Sequence, residues 1–267
     1  MQAIILDKSY LEGASRTAIQ ELMGCRTLVM CSALFYELLD TSAKQRTRCF
    51  AKLPAIDNPL LLVDHVGELM RNEVQTRLPG GLPSKHALAV RFRFNPVLLT
   101  EAYQLPPEAR EAMQDELQDL NSEALRLVDL SESSPSMFPD LLKGSDEMRA
   151  KALADAEASV ADPESLLPFY RELSSPDPSR PFPPVTGPEW AHFRWLQVQM
   201  MFSIDLYVRY QGKLRANLTK NVLEKLEHDV HDAQALALGV LEGALATREE
   251  KLARWFKLLR PDGELVQ

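Results

Sequence analysis

At 267 residues, with 45% hydrophobic and 25% charged side chains, the chain can bury a large core and has the make-up of an ordinary folded protein, which excludes a disordered or fibrous polymer. The formal net charge is −8, but residues 101–164 hold 16 acidic against 5 basic side chains, so the rest carries a formal +3 and a nucleic-acid partner is not excluded there. No apolar run approaches the roughly 18–20 residues of a bilayer span, only six residues precede Asp7, too few for a signal peptide, and Cys25, Cys31 and Cys49 lack metal-knuckle spacing. The expectation is a cytoplasmic protein without membrane association, with buried free thiols and no disulfide or zinc framework.

Ala3-Ile4-Ile5-Leu6 is a continuous apolar run ended by Asp7, the pattern of a buried parallel strand that delivers a carboxylate to the sheet edge. Helical spacing over 9–23, a β-rich run over 27–31 and a helix over 33–39 predict a right-handed parallel crossover. Residues 64–77 read as an amphipathic helix stopped by Pro79-Gly80-Gly81-Leu82-Pro83, and 89–94 as a short extended piece. Pro106-Pro107-Glu108 starts a helix, with proline in the first turn and an acid against the dipole, running to about residue 130. A polar loop over 131–139, helices over 147–160 and 164–173, a connector over 174–188 with six prolines, and a long helix over 189–215 follow.

The last third returns to α/β order. A helix over 229–241 leads through Gly243 to a strand over 244–247, a helix over 249–259, the turn Pro261-Asp262-Gly263 and a strand over 264–266. The elements predict an α/β fold whose parallel sheet is built from both termini, residues 1–100 and 216–267, around a mostly helical insertion at 101–215.

Acidic residues stand where these elements bring side chains to one edge. Asp7 ends the first strand. Glu37, in Ser32-Ala-Leu-Phe-Tyr-Glu37-Leu, lies roughly a turn and a half into the helix after the second strand, and side chains lean toward a helix start, so its carboxylate points back to the edge. Asp232 opens the small-residue stretch Asp232-Ala-Gln-Ala-Leu-Ala-Leu, and Glu249 follows the later strand in Thr247-Arg248-Glu249. Asp229 shares a helical face with Asp232, three residues on.

On these residues the termini, 3–41 and 229–266, resemble the PIN-domain nucleases. The resemblance implies a three-layer α/β/α domain and a metal-dependent nuclease that hydrolyses phosphodiester bonds in RNA or, second, DNA, leaving 5′-phosphate and 3′-hydroxyl ends. It makes Asp7, Glu37, Asp232 and Glu249 the catalytic acids and Thr247 a supporting residue. Mg²⁺ or Mn²⁺ is the implied cofactor, held by Asp7, Glu37 and Asp232, with Asp229 a further ligand candidate from its helical face. Hard cations take oxygen ligands, and converging carboxylates are tolerated when a cation neutralises them. Two positions depart from the family pattern: Glu249 stands in place of Asp, and Lys8 in place of the small hydroxyl residue that commonly follows the first Asp.

Two other readings compete. A PIN-like fold that has lost catalysis would serve as a binding or regulatory module. His228-Asp229-Val-His231-Asp232 is similar to the dyad of the all-helical HD-type metal phosphohydrolases. No Gly-x-Ser-x-Gly, activated cysteine spacing or phosphate-binding Gly-rich loop is present. Lys44, Arg46, Arg48 and Lys52, and Arg91 and Arg93 alternating with Phe92 and Phe94, are candidates for substrate contact. The acidic insertion is a candidate surface for a homodimer or an antitoxin-like inhibitor.

Overall fold

The structure, a computed structural model, describes residues 1–94, 96–173 and 183–267. The chain opens with β1 (Gln2–Leu6), α1 (Lys8–Gly13), α2 (Arg16–Cys25), β2 (Arg26–Cys31), α3 (Ser32–Asp40), α4 (Ala43–Phe50), β3 (Leu61–Val63) and α5 (Val66–Thr76). Then come α6 (Pro107–Met137), α7 (Asp146–Ala161), α8 (Pro163–Leu173), α9 (Ala191–Arg209), α10 (Lys220–Glu242), β4 (Ala244–Ala246), α11 (Glu250–Leu259) and β5 (Glu264–Val266). No helix among the described residues is long and apolar enough to cross a membrane.

By its internal packing the chain divides into two units. The first comprises Met1–Glu68, Leu82–Gln118 and Gln234–Gln267; the second comprises Leu69–Gly81 and Asp119–Ala233. The first unit holds the sheet and the second is helical, so the helical unit begins and ends later than the insertion expected at 101–215 and also takes in 69–81.

The five strands among the described residues pair in parallel, in the order β3-β2-β1-β4-β5. Ile4, Ile5, Val29, Met30, Leu245 and Ala246 are fully buried, as central parallel strands covered on both faces require. Parallel strands need crossovers, and under the right-handed rule connections running to opposite sides of β1 lie on opposite faces of the sheet. Strand order reverses between β1 and β4. That switch point, at the carboxyl ends of the strands, is where open α/β sheets bind ligands.

Local chemistry explains where the elements depart from expectation. The helix expected over 9–23 is two helices, because Ser15 has extended backbone and its hydroxyl accepts the Ala18 N–H as the cap of α2. The polar loop expected at 131–139 is largely the end of α6. Ser133 and Ser134 lie inside that helix, with their hydroxyls on the carbonyls of Asp129 and Leu130, at 3.1 and 3.2 Å. The extended piece at 89–94 forms no strand, only an isolated bridge from Arg93 to Asp57. The helix expected over 189–215 stops at Arg209, where Gln211 and Gly212 take left-handed backbone. Of the connector at 174–188, residues 174–182 lie outside the described residues.

Gly243 makes the turn from α10 into β4. Its φ of 84° is a left-handed helix end, with its N–H on the Gly239 carbonyl at 2.8 Å. All three cysteines are free; Cys31 and Cys49 are buried as expected, whereas Cys25 is exposed at the end of α2. Burial, helped by the nearby Glu12 charge, pushes the Cys49 thiol up to about 11, which keeps it protonated at neutral pH.

Candidate active site

Asp7 is the first residue past β1 and Thr247 the first past β4. The ladder continues one step beyond each strand, since Asp7 N–H donates to the Ala246 carbonyl and Thr247 N–H to the Val266 carbonyl, both at 3.0 Å. Both side chains are buried, Asp7 at 2% and Thr247 at 0% exposure. Asp7 Oδ2 accepts the Thr247 hydroxyl at 2.8 Å, the Ser9 hydroxyl in a very short bond and the Ser9 N–H at 3.3 Å. Each hydroxyl has one proton and both go to Asp7, so the 3.2 Å contact between Ser9 Oγ and Thr247 Oγ1 is a close approach, not a further strong bond.

Both hydroxyls are themselves held. Ser9 Oγ accepts the Arg248 N–H at 2.9 Å, and Thr247 Oγ1 accepts the Glu249 N–H at 3.1 Å. Arg248 also donates through Nη1 to the Gly13 carbonyl at 2.5 Å, and Gly13 permits that approach because a Cβ there would lie 2.7 Å from Arg248 Cδ. The result is a clasp across the switch point, with the Asp7 carboxylate at its centre. Burial raises the Asp7 carboxyl above its ordinary 3.8, outweighing the bonds from Ser9 and Thr247 that favour the charged form.

Glu37 is half-buried on α3, and its Oε1 accepts Lys8 Nζ at 2.6 Å. It therefore lies within one lysine side chain of the backbone beside Asp7. Glu249 is exposed at the N-cap of α11, without a side-chain capping bond. Asp232 is half-buried on α10 and belongs to the second unit, as does Asp229. Asp229 accepts a two-pronged bond from Arg209, at 2.8 and 3.1 Å, and Arg209 also bonds Asp205. A buried carboxylate with its own guanidinium has its charge met by the fold, and this gives Asp229 a structural partner in place of the metal expected from its helical face. Among the described residues, no three His, Cys, Asp or Glu side chains gather as a metal-holding group.

The basic residues on and just after α4 divide by role. Lys44 and Arg48 are exposed. Lys52 donates to the carbonyls of Leu11 and Glu12, both at 2.7 Å, closing the end of α1. Arg46 is buried, and its guanidinium donates to the carbonyls of Leu98 at 2.9 Å, Leu39 at 3.4 Å, Thr100 at 3.0 Å and Thr41, beneath the Tyr103 ring. It is a structural tie and not a substrate contact. Arg46→Lys keeps the charge but not the planar fork, and the expected result is a loss of about 2 kcal/mol, with faster proteolytic nicking within 96–103. Unchanged urea midpoint and nicking rate in that variant would refute this role.

Phe92 and Phe94 join Phe35 and Phe50 in an aromatic cluster, with ring centroids 4.6 Å apart for Phe50 and Phe94 and 5.1 Å for Phe35 and Phe92. Arg91 and Arg93 point out toward Asp57. The alternation thus separates core from surface without needing a strand.

Ser9 is the site residue that the sequence reading missed. The hydroxyl sought directly after the first acid stands one residue later, in Asp7-Lys8-Ser9, a spacing at which a serine can fold back on its own turn. Comparison with known proteins finds no matching family model, no matching curated protein and no matching solved structure.

Proposed function

We propose that the chain is a PIN-like, metal-dependent phosphodiesterase acting on RNA, with Asp7 as its central acid. The observation that carries this reading is the Asp7 clasp: a buried carboxylate at the switch point of a parallel sheet, held by Ser9 and Thr247, which are neutral donors. Burying a charge without a counter-charge is costly, and the cost is retained where a ligand later supplies the missing cation.

The donor chemistry fits a hard divalent ion. Asp7 and Glu37 offer carboxylate oxygens, and Glu37 already faces a cation in Lys8. Bound Mg²⁺ or Mn²⁺ supplies the charge that acidifies an attacking water and stabilises the phosphoryl transition state. Ser9 and Thr247 hold the Asp7 carboxylate in one orientation, so little reorganisation is needed when that charge arrives. Glu249, exposed at the start of α11, is proposed as a catalytic acid acting through water. Asp232, a ligand only by the family resemblance, belongs to the second unit and is not counted among the donors of this site.

The test is incubation of the purified protein with end-labelled single-stranded RNA and Mn²⁺. Cleavage that is lost on chelation and leaves 5′-phosphate ends is the expected outcome. Intact RNA with every divalent ion tried would overturn the enzyme reading and leave a PIN-like binding module, which the exposed Glu249, with no side-chain capping bond, favours as the second reading. The HD-type reading loses its support, because it needs an all-helical fold and the first unit is built on a parallel sheet.

A further inference from the structure

The Lys8 side chain stands outside the clasp, yet Lys8 follows Asp7 directly and its ammonium sits 2.6 Å from Glu37 Oε1, with both side chains only 22% exposed. An ion pair this sheltered is screened less than a surface pair, and it connects two segments 29 residues apart at the carboxyl edge of the sheet. We infer that Lys8 is a built-in counter-ion for Glu37 that competes with the divalent cation, so that the site closes on Lys8 when metal is scarce and opens when metal is plentiful. The inference rests on the metal-dependent reading above.

The physical argument is charge balance. Glu37 can be neutralised by Lys8 or by a metal, and a metal held by Glu37 and Asp7 would place its positive charge against the ammonium. Lys8 then has to swing away, and by linkage whatever Lys8 gains from Glu37 is subtracted from metal affinity. A small hydroxyl residue at position 8 would impose no such competition. Lys8 is thus the residue that sets the metal concentration at which this site loads, and once displaced it is a free cation on the rim, where a phosphate would meet it.

The experiment compares Mn²⁺ binding, by electron paramagnetic resonance of free Mn²⁺, in the full-length wild type, Lys8→Met, Lys8→Arg and Glu37→Gln, each checked for fold by circular dichroism. Lys8→Met is expected to bind about fivefold more tightly than wild type, Lys8→Arg to stay near wild type, and Glu37→Gln to bind more weakly than either. In parallel, amine acetylation read by mass spectrometry is expected to label Lys8 faster when Mn²⁺ is added, with exposed Lys44 unchanged. Equal or weaker binding by a folded Lys8→Met would overturn the competition while leaving the metal site standing. If neither wild type nor Lys8→Met binds Mn²⁺ at millimolar concentration, both the competition and the metal-dependent reading fall.

Discussion

On the proposed metal-dependent phosphodiesterase reading, Asp7→Asn is expected to cut cleavage by about a thousandfold while making the metal-free protein more stable. That loss would correspond to about 4 kcal/mol of transition-state stabilisation, the scale expected if Asp7 is the proposed metal ligand. The stability gain comes from the sign of the burial effect. Burial raises the folded-state carboxyl above 3.8, so between 3.8 and its raised value the folded chain keeps a proton that the unfolded chain has released. Wild-type stability therefore falls as pH rises through that window, and the full deficit persists above it. Asparagine carries no charge to bury, and its carbonyl oxygen can still accept from Ser9 and Thr247. The variant should match wild type below 3.8 and exceed it at neutral pH, read as a higher Tm there and the same Tm in acid. Saturating Mn²⁺ should reverse that order, since wild type gains about 2.7 kcal/mol at a hundred times Kd and the variant little. A variant that is less stable than wild type at neutral pH without metal would show that the fold itself needs the Asp7 charge, at the N-cap of α1, and that no cation is awaited there.

The parts of this architecture that were legible in sequence are those whose cause is local. Ile4 to Leu6 and Ala244 to Ala246 read as strands because a parallel strand covered on both faces needs an unbroken apolar run. Thr247 enters only through the family resemblance, whereas Asp7 reads as a site candidate because it stands at the end of such a run. β3 did not, since three residues in a longer apolar stretch carry no periodicity, and only pairing with β2 makes Leu61–Val63 a strand. The roles of Arg46 and Asp229 were hidden for a different reason. A buried guanidinium on carbonyls at 98 and 100, and a carboxylate met by Arg209 on another helix, are decided by which segments the fold brings together. Sequence shows a charge, and only packing shows what has already neutralised it.

The second unit carries the largest expected effect on stability, at Glu73. This glutamate on α5 is fully buried, and nothing in its sequence setting marks it out. Its Oε1 accepts the N–H groups of Gly80 and Ala191, at 2.9 and 2.5 Å, and its Oε2 accepts the His192 N–H and faces His192 Nδ1, at 3.0 and 2.7 Å. The first N–H groups of any α-helix lack intrahelical partners, and Trp190, the N-cap of α9, offers no side-chain bond. Glu73 thus caps α9 from 118 residues away and places its negative charge at the positive end of the helix dipole. It also ties the segment Leu69–Gly81 into the second unit, of which α9 is the most buried helix by its run of core residues from Ala191 to Leu206. Glu73→Ala leaves buried donors at Gly80, Ala191 and His192 without an acceptor, and the expected cost is about 3–5 kcal/mol in urea unfolding of the helical unit. Glu73→Gln should recover only part of this, because its amide turns donors toward donors on one side. Hydrogen exchange gives the sharper check: the Ala191 and His192 amides should lose protection in Glu73→Ala before the middle of α9 does. If those amides stay as protected as in wild type, α9 is held by its apolar packing alone and Glu73 is not its cap.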